Sequence, residues 1–365
     1  MTRPPILLTP GPLTTDPAVR QSMMQDWGSR DPGFIALTAE MRARLLDVVN
    51  GAKTHVAVPI QGSGTYVLEA AVATLIGEDD RLLVAINGAY GHRMASIARR
   101  LGKSVETLVW AEHEPVDAQA IPRRLSQDPS ISHVAVVHCE TTTGLLNPLE
   151  SIATVVAAAG RHLIVDAMAS FGALPLDLTT LPAAAILASS NKCLEGTPGL
   201  AFALVDRALL ASCAGRSHST SFDLHAQWQA FESNGQWRFT PPVQVVAALV
   251  TALRLLEAEG GPAARLARYG ANLDVLLQGT DALGLELFLD RALQAPIIAT
   301  FRSPEGLDFE AFYAALAEAG FVIYPGKLTD ADSFRIGCIG AIGPDDFASL
   351  VKVLGPALRG ATTAQ

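Results

Sequence analysis

The chain of 365 residues carries 36 acidic against 27 basic side chains, a net charge of −9, with 49% hydrophobic and 17% charged residues. That length exceeds a single small core and that composition is globular, which excludes a disordered or fibrous chain. The acidic balance argues against nucleic acid or an anionic membrane as partner and leaves small anionic molecules, held where basic groups converge locally.

The opening MTRPPILLTPGP is an extended segment whose apolar run is too short for a secretory signal. An amphipathic pattern then predicts a helix over residues 34–49. From His55 short apolar runs alternate with helical patterns: HVAVPI, RLLVAIN, SVETLVW, HVAVVHC, HLIVDA, AAILASS and LAFALVD are separated by segments such as TYVLEAAVATLI, HRMASIARRL and LESIATVVAAAG. Near-continuous Val/Ile/Leu runs of strand length between helices predict a large, doubly wound, mostly parallel sheet covered on both faces. After residue 207 the alternation lapses into a polar stretch over 215–239, and a long helix follows from Pro241. From about Pro262 the pattern predicts a smaller α+β unit: a helix over 263–277, the strand APIIATF, a helix over 308–319, the strand FRIGCIG and a last helix near 345–358. The expected division is an N-terminal segment 1–20 belonging with the small domain and cleft, a large domain 21–261, and a small domain 262–365.

The apolar helix over 243–256 contains Gln244, Thr251 and Arg254 and falls short of a membrane span. Cys139, Cys193, Cys213 and Cys338 show no CxxC spacing, and no histidine pair has supporting ligands, so neither a metal site nor a disulfide framework is expected. A reducing cytoplasm is the expected location.

Ligands of open α/β sheets gather beyond the carboxyl ends of the strands. Polar clusters stand at five such ends: Gln61 to Thr65, Asn87 to Gly91, Glu140 to Gly144, Asp166 to Met168, and Ser189 to Lys192. Gly62-Ser63-Gly64-Thr65 reads either as a phosphate cup at a helix N-terminus or as a tight, capped turn. Asp166 suits a cationic partner such as a pyridinium nitrogen, or an ordinary ion pair. Tyr90 can lie on a flat ring or simply pack, and Thr141 to Thr143 can reach a ligand oxygen or satisfy turn backbone. Lys192 follows a buried strand and precedes the breaker run Gly196 to Gly199, so it is either a solvated loop lysine or an amine for Schiff-base chemistry. Arg335 can fork onto a carboxylate or pair at the surface, and Trp27-Gly28-Ser29-Arg30-Asp31 can close over an anion or form a capped turn. In joint order, the cup, aromatic, hydroxyls, aspartate and lysine describe a pyridoxal phosphate site.

Asp166, Ser190-Asn191-Lys192-Cys193 and Phe334-Arg335-Ile336-Gly337 resemble the class V branch of fold-type I pyridoxal phosphate aminotransferases. The stretches LLTPGPLTT, DWGSRD, GSGTYVLEA, NGAYGHR, HCETTTGLLNPL, SSNKC, RFTPP, YPGK and FRIGCIG, from about residue 7 to 340, are similar to the 2-aminoethylphosphonate:pyruvate transaminase family. The resemblance implies a homodimer with shared active sites that moves an amino group from 2-aminoethylphosphonate to pyruvate. It implies that Lys192 holds pyridoxal phosphate and that Asp166 pairs with the pyridine nitrogen, with Tyr90 stacked on the ring. Ser63, Gly64 and Thr65 hold the phosphate together with Thr240 of the other subunit. Thr141 reaches the phenolic oxygen, and Met168 and Asn191 complete the cofactor pocket. Arg335 takes the pyruvate carboxylate, and Arg30, with Trp27 and Ser29, faces the phosphonate. Two departures stand out: the lysine loop CLEGTPGLAF, where the resemblance leads one to expect Gln in place of Glu195 and an aromatic near Leu200, and Val243-Gln244 after RFTPP in place of Thr-His. The competing reading is another class V aminotransferase, acting on serine, alanine or glyoxylate or on a hydroxylated aminophosphonate.

Overall fold

The computed structural model describes residues 4–326, 328, 329 and 331–362. Lys327, the last residue of YPGK, lies outside the described residues. A seven-stranded sheet runs in the spatial order His55–Gln61, Leu200–Asp206, Ala185–Ser189, His162–Asp166, Ile131–Val137, Arg81–Ile86, Ser104–Val109. All seven strands fall on the apolar runs read from the sequence. Five neighbouring strands pair in parallel, and Leu200–Asp206 is antiparallel to both of its neighbours. The reversal has a local cause. A parallel crossover needs a dozen or more residues and usually a helix, whereas residues 190–199 are a helix-free loop that turns the chain straight back. Lys192 sits in that loop.

Helices cover both faces of the sheet, and two separate apolar clusters fill the layers. One gathers Phe34, Leu83, Val136, Ile186, Phe202 and Leu253, and the other Val58, Leu68, Val84, Ile97, Leu187 and Val205. Burial on both sides explains why the strands read as continuous rather than alternating hydrophobics. The edge strand Ser104–Val109 is the exception, half-exposed along most of its length.

The stretch over 215–239 holds a helix that its polar composition hid, Leu224–Asn234. The Asp223 carboxylate accepts from the Ala226 N–H at 2.9 Å, and Gly235 ends the helix at φ 73°. Such an N-cap contributes about 1 kcal/mol. Phe231 and Trp228 bury one side of it, enough to hold a helix whose other face is Gln, His and Ser.

Beyond helix Val243–Glu259 and helix Gly261–Ala282, an antiparallel sheet orders Ile298–Arg302, Ser333–Gly337 and Tyr324–Pro325. Helices Phe309–Glu318 and Pro344–Ala361 pack with it over a third cluster that includes Phe301, Phe312, Phe334 and Phe347. The start of the chain returns to this region: Ile6–Leu7 pairs in parallel with Phe321–Val322. Leu8 C=O then accepts from Gly337 N–H and Thr14 C=O from Ala341 N–H, both at 2.8 Å. Residues 8–14 are thereby drawn across to the lysine loop.

Candidate active site

Ser63, Gly64, Thr65, Leu68, Tyr90, Arg93, Asp166, Met168, Ser189, Asn191 and Lys192 enclose a cavity of about 280 Å³. The parallel strands deliver most of these groups from their carboxyl ends. Strand His55–Gln61 ends at the turn leading into helix Gly64–Leu75, and its first-turn N–H groups have no partners within the helix. Ser63 stands at the N-cap in extended backbone and its hydroxyl makes no capping bond. Gly64 leaves room for the Met168 side chain: a Cβ would come within 2.6 Å of Met168 Sδ. The helix N-terminus at Ser63 to Thr65 thus opens onto the cavity.

Asp166 ends strand His162–Asp166 and is 4% exposed. One carboxylate oxygen accepts from Met168 N–H at 3.0 Å. Burial pushes its pKa up to about 6 against the pull of Lys192 and Arg93, so a cation entering the cavity beside it recovers the cost of ionising it.

Tyr90 lies at the start of helix Ala89–Arg100, and Arg93, three residues on and hence on the same face, stands 5.0 Å from its ring centroid. The helix is capped from afar. Glu140, fully buried, accepts from Tyr90 N–H at 2.9 Å and from the Thr142 hydroxyl at 3.4 Å. Its carboxylate fits only because residue 88 is glycine, since a Cβ there would lie 2.3 Å from Oε2. Burial raises the Glu140 pKa from 4.5 to about 8. Folded Glu140 therefore keeps a proton that the unfolded chain releases above 4.5, and its stabilising contribution is lost as pH rises through about 8. Asp166 acts in the same direction over the lower window from 3.8 to about 6. The cofactor-free protein is expected to lose melting temperature between pH 6 and about 8, and Glu140→Gln, which still accepts from Tyr90, to flatten that slope. Melting curves of both proteins across pH check this, and equal slopes would remove Glu140 as the source.

Lys192 Nζ donates to Pro10 C=O at 2.6 Å. Gly11, at φ 125°, lies against the lysine stem so closely that a Cβ would sit 2.8 Å from Lys192 Cδ. The loop is pinned by Ser190, whose hydroxyl donates to Leu200 C=O at 2.9 Å, and by Glu195 N–H on Lys192 C=O at 2.8 Å. Cys193 points away from the cavity, its Sγ on Ala169 C=O at 3.1 Å, and burial pushes its thiol up to about 12, which leaves no thiolate for nucleophilic chemistry.

Eight of the sequence-read residues therefore share the cavity: Ser63, Gly64, Thr65, Tyr90, Asp166, Met168, Asn191 and Lys192. Arg335 lies behind this wall, 1% exposed, giving Nε to Pro325 C=O at 3.0 Å and Nη1 to Thr141 C=O at 2.9 Å. Thr141 is thus met through its carbonyl and does not line the cavity. Thr143 satisfies the turn, its hydroxyl bonded within 140–145. Thr240 lines a different hollow with Gln61, Tyr66, Phe222 and Phe239. Trp27 packs on Phe34, Asp31 caps helix Pro32–Asp47, and Arg30 is exposed, so Trp27, Ser29 and Arg30 stand apart from the cavity of their own chain. Both departures face elsewhere as well: Gln244 reaches toward Asp26 at 3.5 Å, and Glu195 turns into a buried ionic cluster. Arg93, Leu68 and the Pro10 carbonyl were not singled out from sequence, and Ser189 and Glu140 were named only as members of strand-end clusters, without a role. Arg93 was findable from its i+3 spacing to Tyr90, whereas nothing in a sequence marks a main-chain carbonyl 182 positions from the lysine it meets.

A doubly wound sheet with a strand-end Asp, a loop Lys and a helix N-terminus around one cavity is the architecture of the fold-type I aminotransferases, and the chain belongs to the class-V aminotransferase family, whose model matches residues 24–330. It is 49% identical over 361 residues to a 2-aminoethylphosphonate–pyruvate transaminase of Pseudomonas putida, covering 98% of each chain. It is 50% identical over 357 residues to a 2-aminoethylphosphonate–pyruvate transaminase 2 of Burkholderia lata, covering 97% of this chain and 95% of that one. Among solved structures, the ureidoglycine–glyoxylate aminotransferase of Bacillus subtilis superposes with a TM-score of 0.91 at 28% identity, over 99% of this chain and 94% of that one.

Proposed function

We propose that the chain transfers the amino group of 2-aminoethylphosphonate to pyruvate, leaving phosphonoacetaldehyde and forming L-alanine, with pyridoxal 5'-phosphate bound in the Lys192 cavity. The observation that carries the reading is the convergence of Lys192, Asp166, Tyr90 and the Ser63–Thr65 helix end on one cavity, in a chain about half identical to transaminases of that name over nearly its whole length. The residues fit the cofactor chemically: a helix N-terminus for a phosphate, a buried carboxylate that gains from a cation, a ring to stack on and a primary amine. The glyoxylate-type reading has weaker support, since the glyoxylate aminotransferase above shares 28% identity against about 50% for the phosphonate transaminases.

When bound, pyridoxal phosphate supplies an aldehyde that condenses with amines and a ring that withdraws electrons from the carbon bearing the amine. Ser63, Gly64 and Thr65 would hold the phosphate, and Asp166 would keep the pyridine nitrogen protonated. Tyr90, held by Glu140 and backed by Arg93, would fix the plane of the ring. Met168 and Asn191 close the wall. Lys192 Nζ would serve as the base that takes the proton from the amine-bearing carbon of 2-aminoethylphosphonate and passes it on, and in the second half of the cycle as the acid that delivers a proton to the amine-bearing carbon of the forming alanine. Arg335 receives the carboxylate of pyruvate. Thr141, through its carbonyl, holds that guanidinium.

The site is read as completed in a homodimer. Thr240, beside Phe239 at 53% exposure and Tyr66 at 48%, lies in an open apolar hollow suited to a second subunit. Thr240 would there reach the partner's phosphate cup, and the Trp27–Arg30 segment would face substrate in the same way. Cytoplasmic residence and a part in phosphonate breakdown follow from this reading; among the described residues no helix is long and apolar enough to cross a membrane. Adding 2-aminoethylphosphonate alone to the cofactor-loaded protein is expected to bleach its yellow absorbance, and pyruvate to restore it. Serine bleaching it faster, or glyoxylate restoring it in preference to pyruvate, would move the chain to the glyoxylate-type reading.

A further inference from the structure

A second concentration of charge lies against the lysine loop, and none of its members lines the cavity. Glu195, three residues past Lys192, is 6% exposed and holds φ at 59°, a left-handed backbone that is costly for a side-chain-bearing residue and survives where surroundings impose it. Its Oε1 accepts from the Tyr269 hydroxyl at 2.6 Å and from Arg268 Nη2 at 2.8 Å, and its Oε2 lies 3.7 Å from Arg265 Nη2. Arg265, 2% exposed, gives Nη1 to Cys193 C=O at 2.8 Å and its other nitrogens to Glu259. Arg268 bonds Glu259 at 2.8 Å and reaches Ile342 C=O at 3.0 Å, just past the strand that carries Arg335. Two carboxylates thus balance two guanidiniums, and helix Gly261–Ala282 grips both the Cys193 carbonyl, one residue past Lys192, and the Glu195 side chain at the end of the turn.

The geometry points to Glu195 as a positioning residue for Lys192: with Arg265, Arg268 and Tyr269 it clamps the turn 192–195 so that the lysine amine returns to one place in the cavity each time it is released. This rests on the reading of Lys192 as the reacting amine. A lysine stem has four rotatable carbons, so only a fixed backbone anchor limits where a released amine can go. Proton transfer is sensitive to that placement, and a misplacement near 1 Å can cost on the order of 10²-fold in rate. Pyruvate binding is not, because Arg335 is held through Pro325 and Thr141, outside the cluster.

Glu195→Gln keeps the shape and the Tyr269 bond while unbalancing the charge, and Glu195→Ala removes the clamp. Both are measured with cofactor for yellow absorbance, the bleaching rate with 2-aminoethylphosphonate, KM for pyruvate, and melting temperature. Bleaching is expected to slow about tenfold in Glu195→Gln and on the order of 10²-fold in Glu195→Ala, with KM for pyruvate within about twofold of the parent. Bleaching within about twofold of the parent in the folded variants overturns the inference even if melting temperature falls, as does a defect confined to KM. If Glu195→Ala does not fold, Glu195→Gln decides alone. Yellow absorbance and turnover persisting in Lys192→Ala would instead overturn the reading of Lys192 on which the inference rests.

Discussion

Replacing Lys192 by alanine is expected to abolish amino transfer, by about 10⁴-fold or more, and to remove the yellow absorbance of lysine-bound cofactor while leaving the fold intact. The size follows from two losses. The base that moves the substrate proton contributes about 10²–10⁴-fold by itself, and the same amine is the covalent tether. The fold should survive because the loop is held by other groups: Ser190 on Leu200, Glu195 on Lys192 C=O, and Arg265 on Cys193 C=O. The donor to Pro10 C=O is lost with the lysine. Absorbance, melting temperature and single-turnover rate separate these effects. A variant that stays yellow and active would move the chemistry to another amine.

Arg335→Lys is expected to raise KM for pyruvate strongly and to change kcat little. A lysine keeps the charge and loses the planar fork that holds a carboxylate through two bonds. Hydrogen bonds to charged groups are worth about 1.5–3 kcal/mol, so kcat/KM should fall roughly 10- to 150-fold. Arginine is also the residue that bridges Pro325 and Thr141. Arg335→Ala would therefore leave two buried carbonyls unpaired and lower stability as well, which makes lysine the cleaner probe. The bleaching rate with 2-aminoethylphosphonate alone, which involves no carboxylate, serves as the internal control. A nearly unchanged KM for pyruvate would place the carboxylate elsewhere.

The polarity of residues 224–234 and the fate of Glu195 illustrate where reading a sequence stops. LHAQWQAFESN offers few apolar positions, so its periodicity is faint, yet one buried stripe with a capping Asp223 and a closing Gly235 is sufficient for a helix once a sheet lies beneath it. Glu195 departs from the family pattern three residues past the lysine. Its side chain answers Arg265, Arg268 and Tyr269, residues some seventy positions away. The cofactor cluster was legible because the doubly wound arrangement places strand ends together by rule, so Ser63, Tyr90, Asp166 and Lys192 needed only to be located at strand ends to be brought into one cavity.

From the amino-acid sequence alone came the elements that depend on local chemistry: apolar runs of strand length, the Gly-Ser-Gly-Thr turn, the strand-end aspartate and the lysine before a glycine-rich loop. Those signals are short-range, since they arise from burial periodicity and from backbone freedom at a few residues. The tertiary structure alone decided which distant groups complete them. The Pro10 carbonyl reaches Lys192 because Ile6–Leu7 pairs with Phe321–Val322. Glu140 caps the Tyr90 helix across a missing Cβ at Gly88. Arg335 is held by the carbonyls of Pro325 and Thr141. Each of these is a contact between segments whose separation along the chain carries no periodic signal, and each became a partnership only when packing brought buried polar atoms within reach of one another.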